Sequence, residues 1–371
     1  MEVAVVGAGP GGAFCAERLS RAGHSVTVYD ASHPREKACG GGVTPIVFER
    51  YPELRELRSA GRPASCARLR TPDGRVLSVD MPEPIDIFSR RTLDGMMLER
   101  ALAVGAVHRA ERVRRVTLQD GGVKVESDAS TAEFDFAVGA DGASSIVRRS
   151  LLGEMPGGRG GWAAAGFYVE GLEEPGIYIE FLSDVKGYIW NFPRADHGSV
   201  GVVAPIGRES GAKLRQRVLE MLEARYPGSL SLPREPYGMS IPSPSPRQGK
   251  WPRLGGAHFA LIGDAANLVD SITGEGIHYA IDSAAFLSDA LHEAGPREAH
   301  RLYRARWRAG PGRQIARSAH WAAHYYHPWL VDRVLGLAHR SSRMRRIVAD
   351  LLMVKQPYTK LFGRVMRDVL Q

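Results

Sequence analysis

The first thirty residues constrain the fold of this chain more than any other stretch. An apolar run at residues 3–6 leads into a glycine-rich turn at residues 7–12. A helical segment follows, and a second apolar run ends at Asp30. This order of strand, glycine turn, helix, strand and acid is the fingerprint of a βαβ dinucleotide-binding unit.

Each residue of this fingerprint has a physical role. Gly7 permits the tight turn, Gly9 lets the backbone approach a pyrophosphate, and Gly12 lets the helix pack against the strand. The helix N-terminus offers N–H donors to the phosphates, and Asp30 is placed to bind the adenosine ribose. The predicted cofactor contacts of the turn are Gly7, Gly9, Pro10, Gly11 and Gly12. The stretch alone leaves both NAD and FAD open.

Two further turns combine a strand end, a glycine and an acid. Residues 139–142 read Gly-Ala-Asp-Gly and contain Asp141, and residues 263–266 read Gly-Asp-Ala-Ala and contain Asp264. Open α/β sheets bind ligands at the carboxyl ends of their strands, so we expect all three turns to converge there. Asp264 is expected to bind ribityl or pyrophosphate-side hydroxyls. A helix beginning near Gly274 is expected to direct its N–H groups at negative charge on a flavin ring.

An aromatic strand and a cysteine loop are the candidates for substrate contact. In a strand, Tyr188, Trp190 and Phe192 point to one face and form a wall suited to a long apolar chain. Ordinary sheet core is the alternative interpretation. Cys39 precedes three glycines that suit a loop pressed against a flat ligand. Its thiol either has a role in the reaction, by orienting substrate or by donating a proton, or it is a small group that merely fits the loop.

Length and cysteine usage limit the class of protein. A chain of 371 residues is long enough for two domains, and no apolar run reaches the ~18 residues of a membrane span. The first strand begins at residue 2 or 3, which leaves no room for a signal peptide, so secretion is not expected. The three cysteines are odd in number and unpatterned, which favours a reduced, cytoplasmic compartment.

The positive charge is concentrated at the end of the chain. Residues 297–371 carry 16 Lys/Arg and 4 Asp/Glu, a net charge of +12, while the preceding residues sum to −4. A solvated surface and contact with an anionic membrane are the two interpretations, and nucleic acid is not expected because no binding fold accompanies the charge. His320, His324 and His327 lack the acid of an HExxH motif, so we expect no metal site.

Together these motifs resemble the FAD-dependent oxidoreductases of the p-hydroxybenzoate hydroxylase-like fold. Within that fold, Cys39 and its glycines are similar to the cysteine–glycine loop of the geranylgeranyl reductases. Arg90 lies where that family has an arginine before a Phe-Asp pair, here Leu93-Asp94. Residues 188–193, Tyr-Ile-Trp-Asn-Phe-Pro, resemble its Tyr-x-Trp-x-Phe-Pro motif. The resemblance covers roughly residues 1–300.

Two positions depart from the family pattern. Gly201 matches the first glycine of a Gly-x-Gly motif, whereas Val203 replaces the second. Asp270-Ser271 precedes Ile272 and a Thr-Gly-Glu-Gly stretch, where the family has a proline two residues before the threonine. The first departure concerns the substrate-side strand and the second the flavin-ring loop.

The resemblance implies an α/β fold with a Rossmann-like FAD-binding βαβ domain and an antiparallel-sheet substrate domain. We predict the FAD-binding domain at residues 1–60, 86–160 and 253–296, and the substrate domain at 61–85 and 161–252. A basic helical segment is predicted at 297–371. Glycines at 156–161 and a Pro/Ser-rich stretch at 242–252 mark the predicted boundaries.

The implied function is reduction of carbon–carbon double bonds in a geranylgeranyl-type polyprenyl substrate by hydride transfer from reduced FAD. NADPH or ferredoxin would supply electrons, in the cytoplasm with peripheral contact at the inner membrane face. The alternatives are an FAD-dependent hydroxylase or halogenase of the same fold, and a non-enzymatic flavin or lipid carrier.

The predicted FAD contacts further include Cys39, Gly40, Gly41, Arg90, Gly263, Gly274, Gly276 and Ile277. The predicted substrate contacts are Tyr188, Trp190, Phe192 and Pro193, with Cys39 as the catalytic candidate.

Overall fold

A computed structural model describes residues 1–154, 161–242 and 252–369 of the chain. Its contacts divide the chain into two compact units, each built from three segments. Unit 1 comprises residues 1–35, 90–158 and 242–316, and unit 2 comprises residues 36–89, 159–241 and 317–371. The predicted boundary stretches at 156–161 and 242–252 lie almost entirely outside the described residues.

The described residues form the following strands and helices. The strands are β1 (Glu2–Val6), β2 (Ser25–Tyr29), β3 (Gly42–Val43), β4 (Arg62–Arg70), β5 (Val76–Ile87), β6 (Val107–Arg109), β7 (Val113–Gln119), β8 (Gly122–Ser127), β9 (Thr131–Phe134), β10 (Phe136–Gly139), β11 (Trp162–Glu170), β12 (Ile177–Phe181), β13 (Tyr188–Pro193), β14 (His197–Pro205), β15 (Arg234–Ile241), β16 (Gly255–Gly256) and β17 (Phe259–Leu261). The helices are α1 (Pro10–Arg21), α2 (Pro45–Arg50), α3 (Arg90–Ala103), α4 (Ile146–Leu152), α5 (Gly211–Arg225), α6 (Ile277–Ala309), α7 (Gly312–Tyr325), α8 (Pro328–Arg340), α9 (Ser342–Leu352) and α10 (Tyr358–Val369).

Unit 1 is built on a six-stranded sheet with the order β16-β17-β10-β1-β2-β6. All its pairings are parallel except that of β16 with β17. Residues 3–6 of β1 are buried on both faces, which is why this strand has no polar alternation. Helix α1 packs against α3 and α6, and a separate antiparallel sheet, β7-β8-β9, packs against α4.

Helix α6 is bent where its sequence cannot remain helical. Gly295 has φ +67° and ψ 179°, and Pro296 follows it. Proline disfavours the helical conformation for the residue before it, and glycine alone adopts this conformation without strain. The helix therefore continues in a new direction to Ala309.

Unit 2 is built on an eight-stranded sheet with the order β15-β11-β14-β13-β12-β4-β5-β3. Its neighbours are antiparallel except β12 and β4. β4 and β5 form a hairpin whose turn lies at residues 71–75. Its second strand extends to Ile87.

Helices pack against the sheet of unit 2 and form two separate apolar cores with it. Helix α5 packs Leu214, Val218 and Leu222 against Ile189 and Val202 of the sheet. The C-terminal helices supply a second core against β4 and β5. Its helical members include Val331, Leu335, Ala338, Met344, Ile347 and Val348.

The two units divide the chain differently from the predicted domains. Residues 36–60 were expected beside the nucleotide-binding turn, but Gly42 and Val43 pair with Ile87 and Asp86 of β5 and so belong to unit 2. Residues 297–371 were expected to form a separate segment. Instead, the apolar faces of α8 and α9 complete the core of unit 2, and residues 297–316 belong to unit 1.

Among the described residues, every helix is too short or too polar to traverse a bilayer.

Candidate functional site

Three adjacent strands of unit 1 end in the three glycine turns. β10 lies between β1 and β17, and all three run parallel, with Val6 opposite Gly139 and Gly139 opposite Leu261. β2, which precedes Asp30, lies on the other side of β1. The turns and this acid therefore share one edge of the sheet, which confirms the predicted convergence.

The first turn depends on the absence of side chains at Gly7 and Gly12. Gly7 has φ +104°, and a Cβ on Gly12 would lie 1.9 Å from the carbonyl oxygen of Gly7. A Cβ on Gly7 would lie 2.4 Å from the carbonyl oxygen of Ala140 in the second turn. A Cβ on Gly11 would lie 3.0 Å from the carbonyl oxygen of Ala280 in α6. These glycines therefore set the packing of the first turn against the second and against α6.

The N-terminus of α1 has the form of an anion site. Its N-cap, Gly9, has no side chain that could accept hydrogen bonds from the first N–H groups, and Pro10 occupies the first helical turn. Arg90 lies beside this helix end, because a Cβ on Gly9 would be 3.8 Å from Arg90 Nη2. Arg90 is buried and donates from Nε and Nη2 to the two carboxylate oxygens of Asp94, each at 2.8 Å. The pair places a guanidinium beside a helix terminus that favours phosphate.

Asp30 is held at the end of β2 by three hydrogen bonds. Its Oδ2 accepts from Ala8 N at 3.0 Å, and its Oδ1 accepts from Ser32 N at 2.9 Å and Ser32 Oγ at 2.8 Å. Burial opposes ionisation, but these hydrogen bonds outweigh it and lower the pKa of Asp30. The residue is therefore an oriented carboxylate, as hydrogen bonding to ribose hydroxyls requires.

Asp141 has one satisfied and one unsatisfied oxygen. Its Oδ2 accepts from Ile146 N at 2.6 Å and Val147 N at 3.3 Å, so it caps the first turn of α4. Its Oδ1 is buried and has no hydrogen-bond partner among the described residues. Burial raises the pKa of this carboxyl. Arg148 of the same helix donates to the carbonyl of Ala265 at 3.1 Å, which joins the second turn to the third.

The third turn is shaped by a left-handed glycine. Gly263 has φ +54° and donates from its N–H to Ser283 Oγ of α6 at 3.0 Å. Asp264 follows, and its carbonyl accepts from Asn267 N at 3.0 Å. A Cβ on Gly276 would lie 3.5 Å from Asp264 Oδ1. The loop before α6 therefore runs directly beside this carboxylate.

Asp270 organises the loop at which the sequence departs from the family. Its Oδ1 accepts from Ile272 N at 2.8 Å and Thr273 N at 3.0 Å, and its carbonyl accepts from Gly274 N at 3.0 Å. Gly274 has φ +73°, which only glycine adopts readily. Hydrogen bonds accepted by one aspartate thus fix this turn.

The prediction that a helix begins near Gly274 is wrong by three residues. The left-handed conformation of Gly274 cannot continue into a helix, so α6 begins at Ile277. The first donors of α6 also meet an internal acid, because Glu275 Oε1 accepts from His278 N at 2.8 Å. Burial raises the pKa of Glu275. Gly276 and Ile277, two of the predicted FAD contacts, lie at the N-terminus of this helix.

In unit 2 the cysteine loop lies directly on the aromatic strand. A Cβ on Gly40 would lie 3.0 Å from the Phe192 ring, and one on Gly42 would lie 3.3 Å from it. Gly41 has φ +84°, and its added Cβ would lie 2.1 Å from the carbonyl oxygen of Phe88. The structure therefore brings together two motifs that are about 150 residues apart in the sequence. Half-buried Cys39 accepts a hydrogen bond at Sγ from Gly41 N at 3.3 Å.

The sequence analysis missed the residue that holds this loop, Arg194. Its Nη2 donates to the carbonyl of Cys39 at 2.7 Å, and Ser199 Oγ donates to the same oxygen at 2.8 Å. The Arg194 side chain is fully buried, forms an ion pair with Glu36 and lies over the Tyr168 ring. Arg194 directly follows the aromatic motif at the end of β13, and this position was the sequence signal that could have indicated its role.

The predicted aromatic wall is real but is partly core. Tyr188, Trp190 and Phe192 share one face of β13, opposite the face that packs on α5. Trp190 and Pro193 are buried, whereas Tyr188 and Phe192 are half-buried. The Tyr188 ring stacks on the Tyr326 ring at 6.0 Å and 17°. Trp190 is therefore part of the sheet core, whereas Tyr188 and Phe192 remain partly accessible, and contact of these side chains with substrate stays a prediction.

The neighbouring strand β14 places small or apolar residues beside the aromatic residues of β13. Ser199, Gly201 and Val203 lie opposite Phe192, Trp190 and Tyr188 respectively. A Cβ on Gly201 would lie 2.4 Å from Trp190 Cζ2 and 2.4 Å from Tyr237 Oη, so glycine is required there. Val203 is buried with Trp190 and fills space that glycine would leave open.

The N-terminal part of the chain matches a known protein family, and the chain has named relatives. Residues 1–175 match the family model described as an FAD binding domain. A menaquinone reductase from Mycolicibacterium smegmatis is 30% identical over 331 residues, which cover 79% of this chain and 77% of that protein. A geranylgeranyl diphosphate reductase from Synechocystis is 26% identical over 329 residues, covering 78% and 75%.

Solved structures show the same fold along the whole chain. A geranylgeranyl bacteriochlorophyll reductase-like protein from Thermoplasma acidophilum matches with a TM-score of 0.80 and 19% identity, covering 99% of this chain and 98% of that one. A flavin-dependent brominase matches with a TM-score of 0.76 and 16% identity, covering all of both chains. The fold is therefore shared by enzymes of different activities.

Proposed function

We propose that this chain, which belongs to the geranylgeranyl reductase family of FAD-dependent oxidoreductases, reduces carbon–carbon double bonds of a polyprenyl substrate. One observation supports this proposal above all others. The glycines after Cys39 pack on Phe192, so the cysteine loop and the aromatic strand form one surface within unit 2. An apolar wall with a thiol-bearing loop at its edge suits a long hydrocarbon chain.

The residues of unit 1 fit FAD. The helix end at Gly9, with Arg90 beside it, suits the pyrophosphate, and the oriented carboxylate of Asp30 suits the adenosine ribose. The buried, unsatisfied Oδ1 of Asp141 is an acceptor placed for a ligand hydroxyl at the same sheet edge. Asp264, Gly274 and Gly276 are proposed to contact the remainder of the cofactor.

FAD held by these residues would, in its reduced form, be the source of the hydride for one alkene carbon. Tyr188, Trp190 and Phe192 are proposed to orient the chain and exclude water, which matters because an unactivated alkene gains little from polar catalysis. Cys39 is proposed to orient the substrate or to donate the proton to the other carbon. NADPH or ferredoxin is proposed as the source of electrons.

The chain's departure at position 203 refines this proposal. The isopropyl group of Val203 lies beside Trp190 and opposite Tyr188, where the family pattern has hydrogen. We propose that Val203 narrows the wall at this point and so limits which part of a prenyl chain can lie there. Val203→Gly is expected to broaden the range of chains accepted.

Anaerobic turnover tests the proposal. Protein with its FAD reduced is mixed, without oxygen, with a geranylgeranyl lipid, while flavin absorbance and product mass are followed. Reoxidation of the flavin together with a product two mass units heavier per bond is the expected result. Trp190→Ala should slow this reoxidation far more than Trp190→Phe, and Leu118→Ala on an exposed strand of unit 1 is the matched control.

The hydroxylase or halogenase alternative predicts the opposite oxygen dependence. Substrate-dependent oxygen consumption, with no anaerobic reoxidation by any prenyl lipid, would contradict the reductase proposal. A flavin or lipid carrier would show bound FAD and bound lipid with no reoxidation in either atmosphere. Each of these results excludes reduction of a prenyl double bond as the activity.

A further inference from the structure

Helix α10 has apolar residues both on the side that faces the core of unit 2 and on its outer, exposed side. Leu361 and Val365 pack against the C-terminal core of unit 2. Phe362 and Met366 lie one turn apart on the outer side and are 76% and 43% exposed. A phenylalanine ring that is exposed to this extent is unfavourable in water unless another surface covers it.

Basic side chains surround this outer face. Lys360 and Arg367 are exposed, and neither forms an ion pair with any residue that the structure describes. Arg343 of α9 lies near the end of α10 and donates to the carbonyl of Asp368 at 3.5 Å. Residues 317–371 contain ten Lys/Arg against three Asp, a net charge of +7. The exposed apolar groups therefore lie in a positive field.

We propose that the outer face of α10, formed by Phe362, Met366, Lys360 and Arg367, docks on an anionic lipid bilayer. The apolar side chains would enter the boundary between headgroups and acyl chains, while the cations would contact lipid phosphates. Charge complementarity selects this occupant. The inference concerns a surface and does not rest on the proposed reaction.

A second copy of the chain is a poorer occupant of the same face. A twofold interface would oppose each patch with an identical one and bring Lys360 and Arg367 against like charges. A nucleic acid would meet the cations but would not cover Phe362 and Met366 together on a single helix. The test below distinguishes these occupants from a bilayer.

Gly363 provides the means of testing the face without disturbing the fold. It lies on the exposed side of α10, and a Cβ added to it would have no atom within 4 Å. Gly363→Glu and Gly363→Lys therefore place opposite charges at one position with equal steric demand. Both replacements also favour the helix over glycine.

The full-length chain with bound FAD is sedimented with vesicles of phosphatidylglycerol and phosphatidylcholine, or of phosphatidylcholine alone. We expect binding only to the anionic vesicles, and weaker binding as salt increases. One charge near such a surface changes affinity about fivefold, so Gly363→Glu should weaken binding and Gly363→Lys should strengthen it by about that factor. Phe362→Ser should weaken binding about tenfold or more.

Leu118→Ser, at an apolar position of unit 1 that is 53% exposed, is the matched control and should leave vesicle binding unchanged. Equal binding by Gly363→Glu and Gly363→Lys would overturn the proposal. Tighter binding to a DNA duplex than to anionic vesicles, with the same dependence on Gly363, would also overturn it. So would a concentration-dependent dimer that Phe362→Ser abolishes while vesicle binding persists.

Discussion

Arg194 Nη2 donates a hydrogen bond to the main-chain carbonyl oxygen of Cys39 at 2.7 Å, across 155 positions of sequence. The arginine side chain is fully buried, and its charge is balanced by Glu36. A buried cation that binds a loop through its backbone fixes the path of that loop whatever side chain the loop carries. Arg194, in the turn that follows β13, therefore fixes the position of the Cys39 thiol.

Replacing this arginine should loosen the cysteine loop. Arg194→Gln removes the charge and leaves Glu36 without its buried partner, which costs about 3 kcal/mol of unfolding free energy. Denaturant unfolding measures that loss. Alkylation of Cys39 by iodoacetamide should become faster, because the thiol would leave its half-buried position more often.

A second readout separates positioning from simple destabilisation. Burial and then the positive charge of Arg194 lower the pKa of His197. Arg194→Gln should therefore raise the pKa of His197, which NMR titration can follow. Arg234→Gln, at an exposed arginine of unit 2, is the control and should change neither reactivity nor titration. An unchanged alkylation rate in Arg194→Gln would show that Arg194 does not hold the loop.

Two glycine-to-alanine replacements should have opposite effects on stability. Gly12→Ala places a methyl group 1.9 Å from the Gly7 carbonyl, which the turn can accommodate only by moving, so FAD content and stability should both fall. The expected loss is about 3 kcal/mol. Gly95→Ala in α3 meets no atom within 4 Å and should stabilise the protein by about 0.5–1 kcal/mol. Thermal unfolding and flavin absorbance of the two variants test this contrast.

The contribution of Asp30 should depend on pH. Hydrogen bonds from Ala8 and Ser32 lower its pKa in the folded state, despite burial, so its ionised form stabilises the turn. That stability is fully present above the ordinary pKa of aspartate and is lost as pH falls through the lower folded-state value. Asp30→Asn should cost about 1 kcal/mol at pH 7.

The difference between Asp30→Asn and the unaltered protein should disappear in acid. Unfolding free energies measured from pH 7 down to pH 3 follow it, and Asp120→Asn on an exposed turn serves as the control. A difference that persists unchanged below the folded-state pKa would mean that ionisation of Asp30 does not stabilise the turn.

Val354 is expected to store strain. It has φ +58°, a left-handed conformation that is unfavourable for a β-branched residue, between α9 and α10. Val354→Gly should raise the unfolding free energy by about 1 kcal/mol, since glycine adopts this conformation freely. Val76→Gly, at an exposed valine of β5, should lower it instead. Lower stability of Val354→Gly would show that packing outweighs the strain.

Local patterns in the sequence predicted the sheet edge of unit 1 well. Gly12 packs on Gly7, and Asp30 accepts from Ala8, so these contacts lie within the first thirty residues and their order along the chain implies their geometry. The start of α6 was misplaced because the left-handed turn at Gly274 and the capping carboxylate of Glu275 are decided by the folded loop. Helical periodicity alone gives no sign of either.

Long-range contacts account for what the sequence could not show. Residues 36–60 belong to unit 2 because of a two-residue strand paired with β5, which carries no pattern of its own. Arg194 was overlooked because a single arginine in a sequence does not show whether it is buried. The basic C-terminal segment was read from its charge, whereas its apolar faces complete a core.

The arrangement of that core has a consequence for biosynthesis. The β4–β5 hairpin leaves the ribosome long before α8 and α9, whose side chains cover it. A nascent chain therefore carries an apolar sheet surface without its cover until α8 and α9 have been synthesised. Folding of unit 2 must wait for these helices, and the uncovered hairpin is the stretch that a chaperone would have to shield in the interval.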